Sequence, residues 1–490
     1  MTLTVSVDTA RTSLSATSEQ ISVVSRNIAR VGDLDATRKI ARLVTGPGTG
    51  VSIAGIDRTS SKLLLDAYLS SNAMSQSQTA ITSALSQLQS TVDETNLERS
   101  PAALIAKLSS ALQTYSATPQ NPAVAASVVS AAKDLAAALN SASATVTSVR
   151  QQADTEIATS VDNINDLLAR FQDLNNQIIK GTSQGADITD VLDARDAILK
   201  QLSSEIGIRT VTRDNGDMAI YTDSGVTLFD KVPRSVTFQQ TQDLSAGAAG
   251  NAVFADGVPI AGTPHVMAIS SGKLAGLVEV RDSVTVTYQS QLDEIARGLI
   301  EAFAETDQSA SPSLPAAAGL FTYAGGPAIP ASGTVVNGLA ALIKVNPSVD
   351  PSQGGNAELI RDGGIAGNSA YVYNTTGAAS YTDRIQSLIF NLSAARSFDP
   401  TAQLSPSASL SDYAKGSVSW LEALRQSASA EADYRSTVAT RASAALSQTT
   451  GVNLDEEMTN LLALERTFQA SSRLINTVDN MLQMLLQAVG

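Results

Sequence analysis

The chain has 490 residues, of which 43% are hydrophobic and only 4% aromatic, with a formal net charge of -14 and no cysteine. Such a length suits about three domains, and so few aromatic residues favour long thin helical layers over one thick core. The acidic surface excludes nucleic acid as a partner, because displacing counterions from phosphates needs a basic face, and the missing thiols exclude disulfide frameworks, thiolate metal sites and cysteine nucleophiles.

The first element read along the chain is a heptad stripe. Leu3, Val7, Ala10, Leu14, Thr17, Ile21, Val24, Ile28 and Val31 recur at alternating steps of four and three, which predicts a helix seam, and Gly46-Pro47-Gly48-Thr49-Gly50 ends it. Ile56 to Val92 then reads helical, with Leu65, Leu69, Ile81, Leu85, Leu88 and Val92 on one side, followed by a shorter helix through Leu104, Leu108, Leu112 and Tyr115. Asn121 before Pro122 is a helix start, since the amide can cap and proline lacks only an N–H that would have gone unpaired. A very long helix follows to Gly181, with Val128, Leu135, Leu139, Val146, Ile157, Ile164, Leu168, Phe171 and Ile178 on its apolar side. Another helix covers Asp187 to Ile206.

From Ile208 the period changes to short β-branched runs, with Asn215-Gly216 and Asp256-Gly257 as the hairpin signals, to about Ile269. Lys273 to Phe303 returns to helix, although Val284-Thr285-Val286-Thr287 reads equally as strand. Residues 305–378 are rich in Gly, Ala, Pro and Ser, as expected of a loop-heavy insertion. Helix resumes at Ile385 and again from Leu410 through Trp420 into a second heptad stripe of Leu454, Leu461, Leu464, Phe468, Ser471, Ile475, Val478, Leu482 and Leu485, with Glu457 its one charged member.

The predicted fold is mainly α with inserted β, elongated, with the terminal helices paired as an antiparallel coiled coil. Four parts are expected: 1–43 with 452–490 as that coil; 44–206, 273–304 and 379–451 as a long-helix bundle; 207–272 as a β-rich domain; and 305–378 as an outer insertion. This nesting puts both termini at one end and the central β insert at the opposite end. Residues 1–43 carry six basic and four acidic side chains and 452–490 carry five acidic and two basic, so charge favours the pairing, weakly for exposed ions. Lone helices are marginal in water and Ser, Thr and Glu sit in the seam, so both segments are expected to be largely unfolded in the free chain.

No run of eighteen apolar residues offers a membrane span, and no basic-then-apolar leader opens the chain, so any export uses a route without a cleaved signal. His265, the single histidine, has no partner for catalysis or metal binding, and is expected in a loop. Asp187, Asp190, Asp193 and Asp196 step by three, but without a calcium-loop glycine they read as acids favoured by a helix N-terminus. Gly46–Gly50 and Gly363–Gly367 lack the Gly-Lys-Ser/Thr ending of a phosphate loop and read as turns. Trp420 reads as packing between long helices. No cofactor or metal, and no enzymatic activity, is expected.

Four stretches resemble the flagellar hook-associated protein 1 family: Ser25-Arg26-Asn27-Ile28-Ala29 with Arg38; Leu174-Asn175-Asn176-Gln177-Ile178 with Leu192-Asp193-Ala194-Arg195-Asp196; Gly272 to Leu277 through Arg281-Asp282 and Leu292-Asp293-Glu294-Ile295-Ala296; and Asn453-Leu454-Asp455-Glu456-Glu457-Met458 with Phe468-Gln469-Ala470-Ser471 and Leu474-Ile475-Asn476-Thr477. The family's Asn-Thr-Pro-Gly-Tyr-Ser-Arg turn is replaced by Gly32-Asp33-Leu34-Asp35-Ala36-Thr37-Arg38. The resemblance implies an extracellular subunit of the bacterial flagellum at the junction of hook and filament, exported unfolded by the flagellar type III system and self-assembling into a tube. Its implied partners are hook protein, hook-associated protein 3 and a cytoplasmic export chaperone on Leu461 to Leu485. The assembly seam would be Leu3, Val7, Leu14, Ile21, Val24, Ile28, Leu454, Leu461, Leu464, Phe468, Ile475, Val478, Leu482 and Leu485. The rival readings are hook-associated protein 3, a flagellin, or a secreted coiled-coil adhesin or effector; the last would not need matched seams at both ends.

Overall fold

The computed structural model describes residues 3–46, 50–92, 99–262 and 266–489. His265 and Pro47 to Thr49 lie outside the described residues, as do the side chains of Leu3 and Leu485.

One helix organises the molecule. Asn121 accepts a hydrogen bond from the Ala123 amide with Pro122 in the first turn, and α4 then runs unbroken over Pro122–Gln184, 63 residues, or about 95 Å at the helical rise. It stops at Gly185, whose φ of 66° supplies the left-handed cap. The expected stop, Gly181, lies inside the helix, where a Cβ would come within 2.2 Å of the Ile188 side chain, so this glycine serves close packing instead. A stretch of α4 is apolar enough to cross a bilayer by length and composition, with a mean hydropathy of 1.3, although it contains no continuous apolar run. Its Ala-rich sequence instead faces the bundle, with Leu135, Leu139, Ile157, Ile164, Leu168 and Phe171 all fully buried.

Around α4 pack α2 (Lys62–Gln89), α3 (Pro101–Ala117), α5 (Thr189–Glu205), α6 (Lys273–Glu279) and α7 (Thr285–Ala302). Between the last two, Val280–Val284 forms a π-helical turn that settles the ambiguous Val284–Thr287 run as helix. At this turn the Arg281 carbonyl accepts from Arg150 Nε at 2.9 Å and from the Thr285 hydroxyl at 3.0 Å, and the fully buried Arg281 side chain meets Asp154 at 2.7 Å.

Strands β3 (Ile208–Thr212), β4 (Met218–Thr222), β5 (Thr227–Asp230) and β6 (Val232–Pro233) make one antiparallel sheet. A second contains β7 (Val236–Thr237), β8 (Val253–Ala255) and β9 (Val258–Ala261). Both expected hairpins are present. At Asp256-Gly257 the φ values of 52° and 79° are the pair a two-residue turn of right-handed twist requires.

Position along α4 corrects one expectation. The β insert does not lie opposite the termini: Gly216 sits near Ile178, and Asn165 donates to the Val236 carbonyl at 2.8 Å, so both sheets flank the C-terminal and middle turns of α4. The far end belongs to the insertion, which carries β10 (Phe321–Thr322), α8 (Leu339–Leu342), β11 (Lys344–Val345) and α9 (Leu359–Asp362). There Asn140 donates to the Ala340 carbonyl, Lys133 pairs with Asp350, and Arg361 donates to the Pro119 carbonyl.

Buried Asp293 of α7 anchors this insertion by accepting from the Gly338 and Ala340 amides at 2.8 Å each. Burial outweighs those bonds and pushes its carboxyl up to about 6. An acid with a raised folded pKa binds its proton more tightly folded than unfolded, so its contribution to stability grows as pH falls from above 6 toward 4. Relative to Asp293→Asn, the native chain should therefore gain about 1.4 kcal/mol between pH 7.5 and pH 5. Denaturant titrations of both proteins at the two pH values measure it, and a constant difference would refute the coupling.

After the insertion, α10 (Asp383–Ser393) leads to the β12 (Ala395–Ser397) and β13 (Ser407–Ser409) pair and then to α11 (Leu410–Thr450), which packs along α2. Trp420 stacks on Tyr288 at 6.4 Å between helices, as expected of a packing residue.

Candidate assembly surface

The chain ends meet. α1 (Leu3–Ala29) and α12 (Leu454–Val489) lie side by side and antiparallel: Ser13 Oγ faces Ser471 Oγ at 3.4 Å, while Asn27, further along α1, reaches Glu457, earlier on α12. The stripe does not run on to Gly46. α1 stops at Ala29, and after a loop Lys39–Gly46 (β1) and Gly50–Arg58 (β2) form a hairpin packed on α1. The β-branched and aliphatic residues in Ile40–Thr45 and Val51–Ile56 suit a pleated surface, and Gly50, at a φ of 78°, takes a left-handed conformation that glycine adopts readily.

Of the seam positions, Val24 and Val478 are buried, and Val7, Leu14, Ile21, Ile28, Leu461, Leu464 and Ile475 are half-buried. Leu454, Phe468 and Leu482 are exposed, at 45%, 38% and 39%. Beside them Met458, Leu462, Leu474, Met481 and Met484 are exposed too, which leaves a long run of apolar side chains uncovered around α12. Both segments are continuous helices in the single chain, so what they lack is cover for the apolar side chains of α12 rather than helix itself. Covering such a row is the usual fate of an exposed apolar patch of this kind.

The polar members of the seam form its base. Glu457, 1% exposed, accepts from Arg38 Nε at 2.7 Å and from Asn27 Nδ2 at 3.0 Å, and Asn27 also exchanges hydrogen bonds with both backbone groups of Lys39. Glu457 is therefore a pin joining both ends of the chain to the hairpin, rather than only a weakness in a helix pair. Periodicity could not show this, because Arg38 and Lys39 lie outside the heptads.

The acidic steps on α5 also find partners. Arg26 meets Asp187 at 3.2 Å, Arg30 meets Asp190 at 3.0 Å, Lys39 pairs with Asp190, and Arg58 reaches Asp193 at 3.1 Å and Asp196 at 2.7 Å. These acids are ion-pair partners for the terminal unit; Asp190 also lies in the first turn of α5, as expected, and Asp187 just before the helix accepts from the Thr189 amide. Burial of Lys39 lowers its pKa, and Asp193 opposes that shift. Next along α5, buried Arg195 donates to Asn175 at 3.1 Å and to the Gly216 carbonyl at 2.7 Å, fixing the β3–β4 hairpin against α4. Burial pushes its guanidinium down to about 10.

Residues 85–311 match the family model described as "Flagellar hook-associated protein FlgK helical domain", and residues 444–488 match "Flagellar basal body rod FlgEFG protein C-terminal". Flagellar hook-associated protein 1 of Bacillus subtilis (strain 168) is 25% identical over 522 aligned positions, covering 99% of this chain and 98% of that relative. The chain is thus similar to flagellar hook-associated protein 1 along nearly its whole length. The family's Escherichia coli (strain K12) and Salmonella typhimurium members are 21% and 23% identical over 61% of this chain, and the matched part spans about half of each relative, 56% and 55%. A solved structure, "The structure of the flagellar hook junction protein FlgK from Burkholderia pseudomallei", aligns with 53% of this chain and 46% of that one at 21% identity and a TM-score of 0.43. As a hook-associated protein the chain is a structural component of the bacterial flagellum. Asn27 and Glu457, from the two motifs at its ends, touch each other, and Asn175 and Arg195, from the two halves of one internal motif, touch as well.

Proposed function

We propose that this chain is the subunit joining hook to filament, polymerising side by side through α1 and α12 into a tube. The observation that carries this reading is the uncovered apolar row of α12, from Leu454 to Met484, on a helix otherwise pinned in place. A soluble domain gains nothing from such a row, whereas neighbouring copies of the same helix pair can bury it. The relatives' names and the terminal family match support a place in the axial structure, with hook protein and hook-associated protein 3 as its neighbours. Before assembly the row needs cover in the cytoplasm, which is the role proposed for an export chaperone on Leu461 to Leu485, and export itself would proceed unfolded through the flagellar type III route.

The experiment is truncation with localisation. A tagged full-length chain should mark a single band between hook and filament on isolated flagella. Removing residues 1–40 takes away the mate of α12 and both Asn27 and Arg38, so incorporation should fall at least tenfold while circular dichroism of the remaining bundle persists. Incorporation at the native level would refute polymerisation through the terminal pair.

A further inference from the structure

The terminal unit of α1, β1, β2 and α12 is tied covalently to the body at two places among the described residues. One is Thr59–Ser61, between β2 and α2, and the other is Gly451–Asn453, between α11 and α12. Both border a single cavity of about 470 Å³, to which Ser60 and Ser61 contribute from the first crossing and Thr450 and Gly451 from the second. The joint therefore spans open space. Across it the unit is held by ion pairs and by the Arg38 amide, which donates to the Thr450 carbonyl at 2.8 Å beside the second crossing.

Those ionic contacts fall into two classes. Asp193 is 1% exposed and gathers Thr37 Oγ1 at 2.6 Å, the Thr37 amide at 3.2 Å, Arg58 at 3.1 Å, Arg30 at 3.4 Å and the buried Lys39 at 3.7 Å; Lys39 also pairs with Asp190, and Arg58 with Asp196 at 2.7 Å. Around it stand exposed pairs: Arg26 with Asp187, Arg30 with Asp190 and Lys200 with Asp35, whose carboxylates are 32%, 60% and 48% exposed. Ionic strength screens exposed pairs at these separations far more than it screens a buried one.

We propose that this joint is an ionically latched hinge, with Asp193 as its pivot and the outer pairs as latches that set the angle between the terminal unit and the body. Opening Arg26–Asp187, Arg30–Asp190 and Lys200–Asp35 leaves the pivot closed, so the unit swings without detaching. The cavity beneath the crossings gives it room. In an assembly, such a joint lets identical subunits meet neighbours at unequal angles while their terminal pairs keep one geometry.

The absence of native cysteine makes the test direct, since introduced thiols are the sole labelling sites. Spin labels at Ser22→Cys on α1 and Gln177→Cys on α4, both exposed positions, report the hinge angle in the full chain. Ser22→Cys with Asn476→Cys reports the inside of the unit. Between 50 mM and 1 M salt, where the Debye length falls from about 14 Å to about 3 Å, the first distance distribution should widen about twofold and the second should not change. Asp187→Asn with Asp35→Asn should give the wide distribution already at low salt. Asp193→Asn should widen it at both salts, and Asp193→Glu should restore part of the salt dependence. An unchanged first distribution overturns the hinge. So does widening of the second pair, which would mean that the unit melts rather than swings.

Discussion

Glu457→Ala is expected to be the most damaging single change in the terminal unit. It strips the acceptor from the Arg38 guanidinium and the Asn27 amide, both held at the base of the helix pair, and removing one partner from a buried pair costs about 3–5 kcal/mol. That is a large fraction of what a two-helix unit with its apolar side chains partly uncovered can gain from packing. Amide exchange in α1 and α12 should then rise at least a hundredfold, while exchange in α4 stays unchanged. Glu457→Gln should fall between the two, because its oxygen can still accept from one donor while its NH2 group faces the other. Protection equal to the native chain in Glu457→Ala would show that the pin contributes nothing.

The second prediction separates the buried from the exposed apolar positions of α12. Val478 is 4% exposed against α1, so Val478→Asp buries a charge without a partner and should disrupt the pair within one molecule by several kcal/mol. Leu474 and Leu482 are 54% and 39% exposed, so an aspartate at either is solvated in the single chain and should leave its helicity and melting within error. Incorporation onto hooks should nevertheless fail with Leu474→Asp or Leu482→Asp, since the row must be buried between copies. If the exposed variants assembled normally, the row would not be an interface, whatever the fate of Val478→Asp.

Much of the fold was legible because its signals are local. Asn121-Pro122 announces the start of α4, Asp256-Gly257 its hairpin, and the two heptad stripes the antiparallel ends. The β1–β2 hairpin was not legible, since Lys39, Arg42 and the run of small residues around Ala41 and Ala54 weaken its alternation, and the apolar residues at its start continue the helical spacing of α1. The acidic steps of α5 pointed to a helix start because their cations lie some 135 to 163 residues away in the chain. The same holds for the site. Periodicity marks which residues of α12 are apolar, but whether Leu482 faces α1 or solvent depends on how the pair is rotated, and that is set by Asn27, Arg38 and Glu457 outside the pattern. The stop of α4 moved from Gly181 to Gly185 for a comparable reason: Gly181 is required by Ile188, not by the helix end.

The pin between Asn27 and Glu457 closes a loop of 430 residues, so the first helix made is completed by almost the last. Everything between must be in place before that contact is worth its entropy, which grows with the length of chain closed. During vectorial emergence with the N-terminus leading, α1 therefore waits without its mate until α12 arrives. The bundle around α4, whose helices are near neighbours in sequence, can be finished by then, and the terminal pair is the step that seals the molecule.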